Sequence, residues 1–87
     1  MSQRINEKEL INRIARRTSR DVELVTEIFE ATFAEIYEAF KRKEPVTIRN
    51  FGNFYIRHEQ NSWVFRFNPA QKLKALFGWS SSYTGDL

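Results

Sequence analysis

Apolar residues recur at helical spacing along the first half of the chain and at alternate positions along the second. Leu10, Ile11, Ile14 and Ala15 fall on one face of a 3.6-residue period. Asn6 precedes them with Glu9 three residues on, the pattern of a capping box, so a first helix is expected from about residue 7 to 17. Residues 18–21 read as a short turn, with Asp21 a good N-cap for the next helix. Val22, Val25, Phe29, Phe33 or Ile36, and Phe40 then repeat three or four apart, while Glu23, Glu27, Glu30, Glu35 and Glu38 occupy much of the remaining surface. Acidic residues early and Lys41-Arg42-Lys43 late complement the helix dipole, and Pro45 stops the helix. Three Phe in one stripe make it wide for a body of two helices, so the surplus face is expected to meet another subunit.

From Val46 the period becomes two. Val46 and Ile48 alternate with Thr47 and Arg49 as a first strand, and Asn50-Phe51-Gly52 reads as a turn in which Gly52 is free to take positive φ. Phe54 and Ile56 alternate with Tyr55 and Arg57 in a second strand. Residues 59–62 read as a hairpin connection, and Trp63, Phe65 and Phe67 alternate with Val64 and Arg66 in a third strand. Asn68 as N-cap and Pro69 at the first helical position open a short third helix that runs to about Phe77, with Gly78 at its end. Residues 80–87 are polar and expected to form a flexible tail. The fold class is therefore α+β: helix, long helix, three-stranded antiparallel sheet, short helix.

Length and composition narrow the function. Eighty-seven residues make one domain, and with no cysteine and a single histidine it has no disulfide or cysteine-based metal site to staple it. Eight Phe, two Trp and three Tyr are more large apolar surface than a lone small domain hides, and dimerisation is the natural remedy. Absence of cysteine fits a reducing cytoplasm. The N-terminus lacks the apolar run of a signal peptide, and no stretch approaches the roughly 20 apolar residues of a membrane span. The net charge of +3 is segregated: +4 over residues 1–20, −4 over 21–44 and +4 over 45–79. That asymmetry suits a polyanion. Catalysis has little support, because there is no cysteine nucleophile, no histidine pair and no glycine-rich phosphate loop with a lysine. His58 beside Glu59 reads as an exposed pair near a turn rather than an acid–base dyad. No cofactor, metal or small-molecule substrate is implied.

Two stretches carry a family resemblance: Val46-Thr-Ile-Arg-Asn-Phe-Gly-Asn-Phe54 and Phe67-Asn-Pro-Ala-Gln-Lys-Leu-Lys74. In this order behind two amphipathic helices, they resemble the bacterial HU / integration host factor family, small dimeric proteins that bend DNA. Glu9-Leu10-Ile11 with Ile14-Ala15 looks like that family's opening helix. Phe51-Gly52-Asn53-Phe54 looks like its Gly-Phe-Gly-x-Phe turn, with Asn50 in place of the first Gly. The second stretch looks like its Phe-Arg-Pro-Gly-Gln/Lys-x-Leu-Lys segment, with Asn68 and Ala70 as departures. The resemblance implies an HU-like intertwined dimer. It covers about 65 to 70 residues, and what it leaves out is the family's long two-stranded arm, whose tip wedges a Pro between base pairs. Only 12 residues separate Phe54 from Phe67, so the chain looks like an arm-truncated member. Residues 1–79 would form the domain, residues 57–64 a shortened hairpin arm, and 80–87 the tail. Trp63 beside the turn reads as the cap of a hydrophobic face rather than a wedge.

With a short arm, DNA must be held by the body, through Lys and Arg, backbone N–H groups and helix N-termini, none of which reads sequence. The candidates are Arg49 and Asn50 at the turn, Arg57 and Arg66 on neighbouring strands, Asn68 after the third strand, and Gln71, Lys72 and Lys74 in the last helix. Asn6 and Lys8 open the first helix, where family members also touch the backbone, although Glu7 stands where the family usually has Lys. Ordinary solvent exposure is the plain alternative for Arg57 and Arg66. Arg13, Arg16, Arg17 and Arg20 form a second basic strip, expected to pair with glutamates of the second helix, with binding of flanking DNA as the alternative. Phe29, Phe33, Phe40, Phe51, Phe54 and Phe67 are expected in a core shared by two subunits. The resemblance thus implies a cytoplasmic, nucleoid-associated, histone-like protein that binds double-stranded DNA as a homodimer, a heterodimer with a related chain staying open. It would have low sequence specificity and bend DNA less than full-armed relatives. The alternative is a dimerisation or protein-interaction module that has lost DNA binding.

Overall fold

A computed structural model describes residues 4–79. Six elements follow one another: α1 (Glu7–Thr18), α2 (Val22–Lys41), β1 (Val46–Ile48), β2 (Gly52–Glu59), β3 (Ser62–Pro69) and α3 (Gln71–Leu76). The order is the one expected from the periodicity. The tail expected at residues 80–87 lies outside the described residues. The chain divides into two compact units, residues 1–35 and 36–87, with α2 running continuously through the boundary.

In the first unit, the Asn6 carboxamide oxygen accepts the Glu9 N–H at 2.8 Å. This satisfies one of the donors that every helix start leaves without a partner. The helix stops through a paired-bond motif: Arg20 N–H donates to the Ala15 carbonyl at 3.1 Å and Ser19 N–H to Arg16 at 3.4 Å. Ser19 takes the left-handed position at φ 54°, where glycine is the usual occupant. The Asp21 carbonyl accepts Val25 N–H at 3.0 Å and starts α2. Ile11, Ala15 and Val25 are buried between the helices, with Ile14 and Phe29 packed against them.

In the second unit, the same motif ends α2. Glu44 N–H donates to Ala39 and Lys43 N–H to Phe40, both at 2.9 Å, with Lys43 left-handed at φ 62°. The sheet order is β1-β2-β3, all antiparallel. β2 and β3 pair from Gly52↔Pro69 to Glu59↔Ser62 and are joined by Gln60 and Asn61 alone, both at positive φ (46° and 67°). That is the tight turn whose twist matches the strands it joins. Strand alternation puts Phe54, Ile56 and His58 on one face with Phe67, Phe65 and Trp63, and Tyr55, Arg57 and Glu59 on the other with Arg66, Val64 and Ser62. The apolar face gathers an aromatic cluster in which Phe40 lies 5.5 Å from Phe65 and Phe54 lies 4.7 Å from Phe67, centroid to centroid.

Two local expectations are corrected. Gly52 does not have positive φ; Asn50 takes the left-handed position of that turn, at φ 63°. Glycine is needed at 52 for space, because a Cβ there would lie 2.4 Å from the Phe67 ring and 2.8 Å from the Asn68 carbonyl oxygen. Asn68 and Pro69 do not cap α3 but form the end of β3, paired with Asn53 and Gly52. The reason is that β2 starts at Gly52, two residues before Phe54, and so offers them partners. Ala70 continues the pairing, its N–H donating to the Phe51 carbonyl at 2.9 Å, and then serves as the α3 N-cap with no side-chain bond. Pro69, lacking an N–H, is tolerated at the strand terminus. Gly78, at φ 75°, does close α3 as expected, with Trp79 N–H bonded to the Lys74 carbonyl at 2.8 Å.

Two substitutions test these assignments in thermal or denaturant unfolding. Gly52→Ala is expected to destabilise by about 1–3 kcal/mol through overpacking against Phe67. Ser19→Gly is expected to stabilise by roughly 1 kcal/mol by removing a left-handed non-glycine residue.

Candidate nucleic-acid interface

The basic candidates occupy distinct places in each unit. In the second, the β1–β2 turn and the β3–α3 junction meet around a shallow groove of about 200 Å³. Arg49 and Asn50 enter it from the turn, Asn68 and Ala70 from the junction, and Asn53 from β2. The fold thus brings together three of the expected residues, Arg49, Asn50 and Asn68, from segments far apart in sequence. Thr47 Oγ and the Asn53 carboxamide oxygen lie 3.0 Å apart across the β1–β2 pair. Lys72 and Lys74 are half-buried on α3, and Gln71 is exposed at its start.

On the polar face of the hairpin, Arg57 and Arg66 converge on Glu59. Arg57 Nε donates to Glu59 Oε2 at 2.7 Å, and an Arg66 Nη donates to the two carboxylate oxygens at 3.2 and 3.3 Å. The hydrogen bond from Arg57, reinforced by Arg66, holds the Glu59 carboxyl below the usual glutamate range despite some desolvation. The two arginines are therefore exposed, but they are not idle surface charges. Glu59 was legible only as part of a turn; its role follows from the strand register, which no short motif encodes.

The first unit places Asn6 and Lys8 at the start of α1. Asn6 spends its carboxamide oxygen on the cap, while Lys8 is exposed. Glu9 is held by Arg13 at 3.0 Å and Arg16 at 3.6 Å, which lowers its pKa, chiefly through the Arg13 hydrogen bond. The expectation that this basic strip pairs with glutamates of the second helix is thus corrected for Arg13 and Arg16. Their partner is one and two turns back on their own helix, where side chains spaced i, i+4 are neighbours. Arg20 instead borders an apolar groove of about 560 Å³ with Leu24, Ile28, Phe29 and Phe33.

The aromatic candidates divide by unit as well. Phe29 and Phe33 contact each other at 4.8 Å, and Phe33 is still 53% exposed. Phe40, Phe51, Phe54 and Phe67 belong to the sheet cluster. Phe65, which had no assigned role, joins them and remains 54% exposed; its alternation with Phe67 was the available signal. Trp63 caps the end of this face, with the His58 ring 4.9 Å away and the Lys43 ammonium 5.0 Å from its centroid. His58 and Glu59 project to opposite faces of β2, so they form no dyad. Among the described residues no three His, Cys, Asp or Glu side chains cluster as a metal site would, and no helix is long and apolar enough to cross a membrane.

The described residues thus form a small α+β protein with a tight antiparallel hairpin, basic groups on its polar face and at the β1–β2 turn, and uncovered aromatic surface. The chain belongs to the bacterial DNA-binding protein family, whose model matches residues 5–64. Among solved structures, HU from Thermotoga maritima is 32% identical with a TM-score of 0.73, matching 84% of this chain and 98% of that one. A point mutant of the same HU is also 32% identical, with a TM-score of 0.77 and 99% of its chain matched. No curated protein matches in sequence. Family membership places the chain among DNA-binding proteins and not among enzymes.

The Glu59 contacts make a pH prediction. Its folded pKa lies below the ordinary 4.5, so the ion pairs contribute fully above that value and their contribution is lost as pH falls through the lower folded value. A carboxyl-carbon NMR titration is expected to give a midpoint below 4.5, moving up toward it in Arg57→Gln. A wild-type midpoint at or above 4.5 would contradict the geometry.

Proposed function

We propose that this chain is a nucleoid-associated, histone-like protein of the cytoplasm that binds duplex DNA as a homodimer, through phosphate contacts, with low sequence specificity and reduced bending. The observation that carries the proposal is the hairpin: β2 and β3 turn in two residues directly after Glu59, and the basic groups sit on the body around it. The hairpin therefore acts as a shortened arm spanning about residues 57–64 of a domain of residues 1–79. Trp63, at its end, is engaged by His58 and Lys43. Kinking by an inserted apolar wedge then has no projecting ribbon to deliver it, and the duplex is held along its backbone.

Arg49, Asn50 and Asn68 at the groove, Gln71, Lys72 and Lys74 on α3, Arg57 and Arg66 on the hairpin, and Asn6 and Lys8 at the start of α1 are the proposed contacts. Contacts of this kind fix position but carry no base sequence. The dimer follows from the apolar surface that each unit leaves open, where Phe29, Phe33, Phe40, Phe51, Phe54 and Phe67 would form a shared core. One observation favours a second reading. Glu59 already engages both hairpin arginines, which would suit a dimerisation or interaction module that no longer holds DNA.

A duplex titration separates the two. DNA binding predicts an affinity loss of about 10²- to 10³-fold between about 50 and 200 mM salt, as expected for roughly four to six neutralised phosphates. Lys72→Glu with Lys74→Glu should weaken binding to unrelated sequences alike. No shift at tens of micromolar protein in low salt would favour the interaction module.

A further inference from the structure

One carboxylate lies between two guanidiniums on the polar face of the hairpin. Strand register makes this possible: Arg57 and Glu59 project to the same side of β2, and Arg66, opposite Tyr55, is the diagonal neighbour of Arg57. Glu59 takes one hydrogen bond from Arg57 at 2.7 Å and spans Arg66 with both oxygens at 3.2 and 3.3 Å. To a guanidinium, a carboxylate and a phosphodiester look alike. Each offers two oxygens sharing one negative charge, at a spacing the planar fork can bridge.

We propose that Arg57 and Arg66 form a seat for a backbone phosphate of duplex DNA, and that Glu59 occupies this seat in the free protein and so sets how tightly the hairpin holds DNA. The proposal rests on the reading that the chain binds duplex DNA, and it deepens that reading. Three observations support it. Glu59 is the only acidic residue in positions 45–79, a stretch otherwise carrying five basic side chains, so nothing else there competes for the arginines from the same strands. All three side chains are solvent-accessible, at 61% for Arg57, 47% for Arg66 and 29% for Glu59, so an incoming phosphate can displace the carboxylate without opening a core. The adjoining turn does not need the carboxylate, since it is held by strand pairing and by Ser62 Oγ donating to the Glu59 backbone carbonyl at 3.2 Å.

The test is fluorescence anisotropy of a labelled random-sequence duplex with the full chain, its fold checked by circular dichroism. Glu59→Gln is expected to bind about 3- to 10-fold tighter at low salt, because the arginines are then free of a competing carboxylate before DNA arrives. Glu30→Gln removes the same charge from an exposed site on α2 and is expected to change affinity less than about twofold if general charge is a minor term. In an Arg57→Ala/Arg66→Ala background, Glu59→Gln is expected to gain nothing. A second measurement needs no variant: saturating the wild type with duplex should raise the Glu59 carboxyl NMR midpoint, because phosphate takes its partners. The seat is refuted if Glu59→Gln binds no tighter, if Glu30→Gln gains as much, if the gain survives without the arginines, or if the midpoint stays put on DNA. Salt-sensitive wild-type binding with any of these results refutes the seat alone. Absence of binding by both wild type and Glu59→Gln refutes the DNA reading together with it.

Discussion

The apolar surface of this chain has too little of its own protein to cover it. Among the described residues the buried hydrophobic side chains are only Ile11, Ala15 and Val25, while Ile28, Phe33, Phe51, Phe65 and Phe67 stay between 38% and 56% exposed. Exposed aromatic and branched side chains in such numbers are costly in water and mark surfaces meant to be covered. The same sheet face that gathers Phe54, Phe65 and Phe67 leaves its rings in contact with one another but not enclosed. A second copy is the covering proposed above, since Phe33 in the first unit and Phe51, Phe65 and Phe67 in the second all lie open.

The backbone is built economically around this need. All three helices end with the same paired-bond motif, at Ser19, Lys43 and Gly78, and only the last uses glycine. The sheet is three short strands, its long hairpin closed by Gln60 and Asn61. Strand alternation then separates chemistry cleanly, with aromatics on one side and arginines with Glu59 on the other. The groove between the β1–β2 turn and the β3–α3 junction arises because Ala70 bonds back to Phe51, pinning the start of α3 beside the turn.

Much of this was legible in the sequence, and the reasons differ by element. The Asn6–Glu9 cap, the three-and-four spacing from Leu10 to Phe40 and the alternation from Val46 to Phe67 are local signals, and the elements appeared within a residue or two of the expected limits. Asn68-Pro69 misled because it makes a good helix start in isolation, and the competing partners, Asn53 and Gly52, are fifteen and seventeen residues away. Gly52 was read for φ when its purpose is room for Phe67. The partners of Arg13 and Arg16 were placed on the wrong helix, since charge patterning gives composition and not rotamer reach. The Arg57–Glu59–Arg66 cluster was invisible because it depends on diagonal register across the hairpin.

The most direct test of the central claim is the concentration dependence of mass and thermal unfolding. Sedimentation equilibrium at micromolar concentration should return twice the 10.4 kDa chain mass, and the midpoint of unfolding should rise with protein concentration, as it does when folding and association are one process. A cooperatively folded 10.4 kDa monomer whose midpoint is independent of concentration would contradict it.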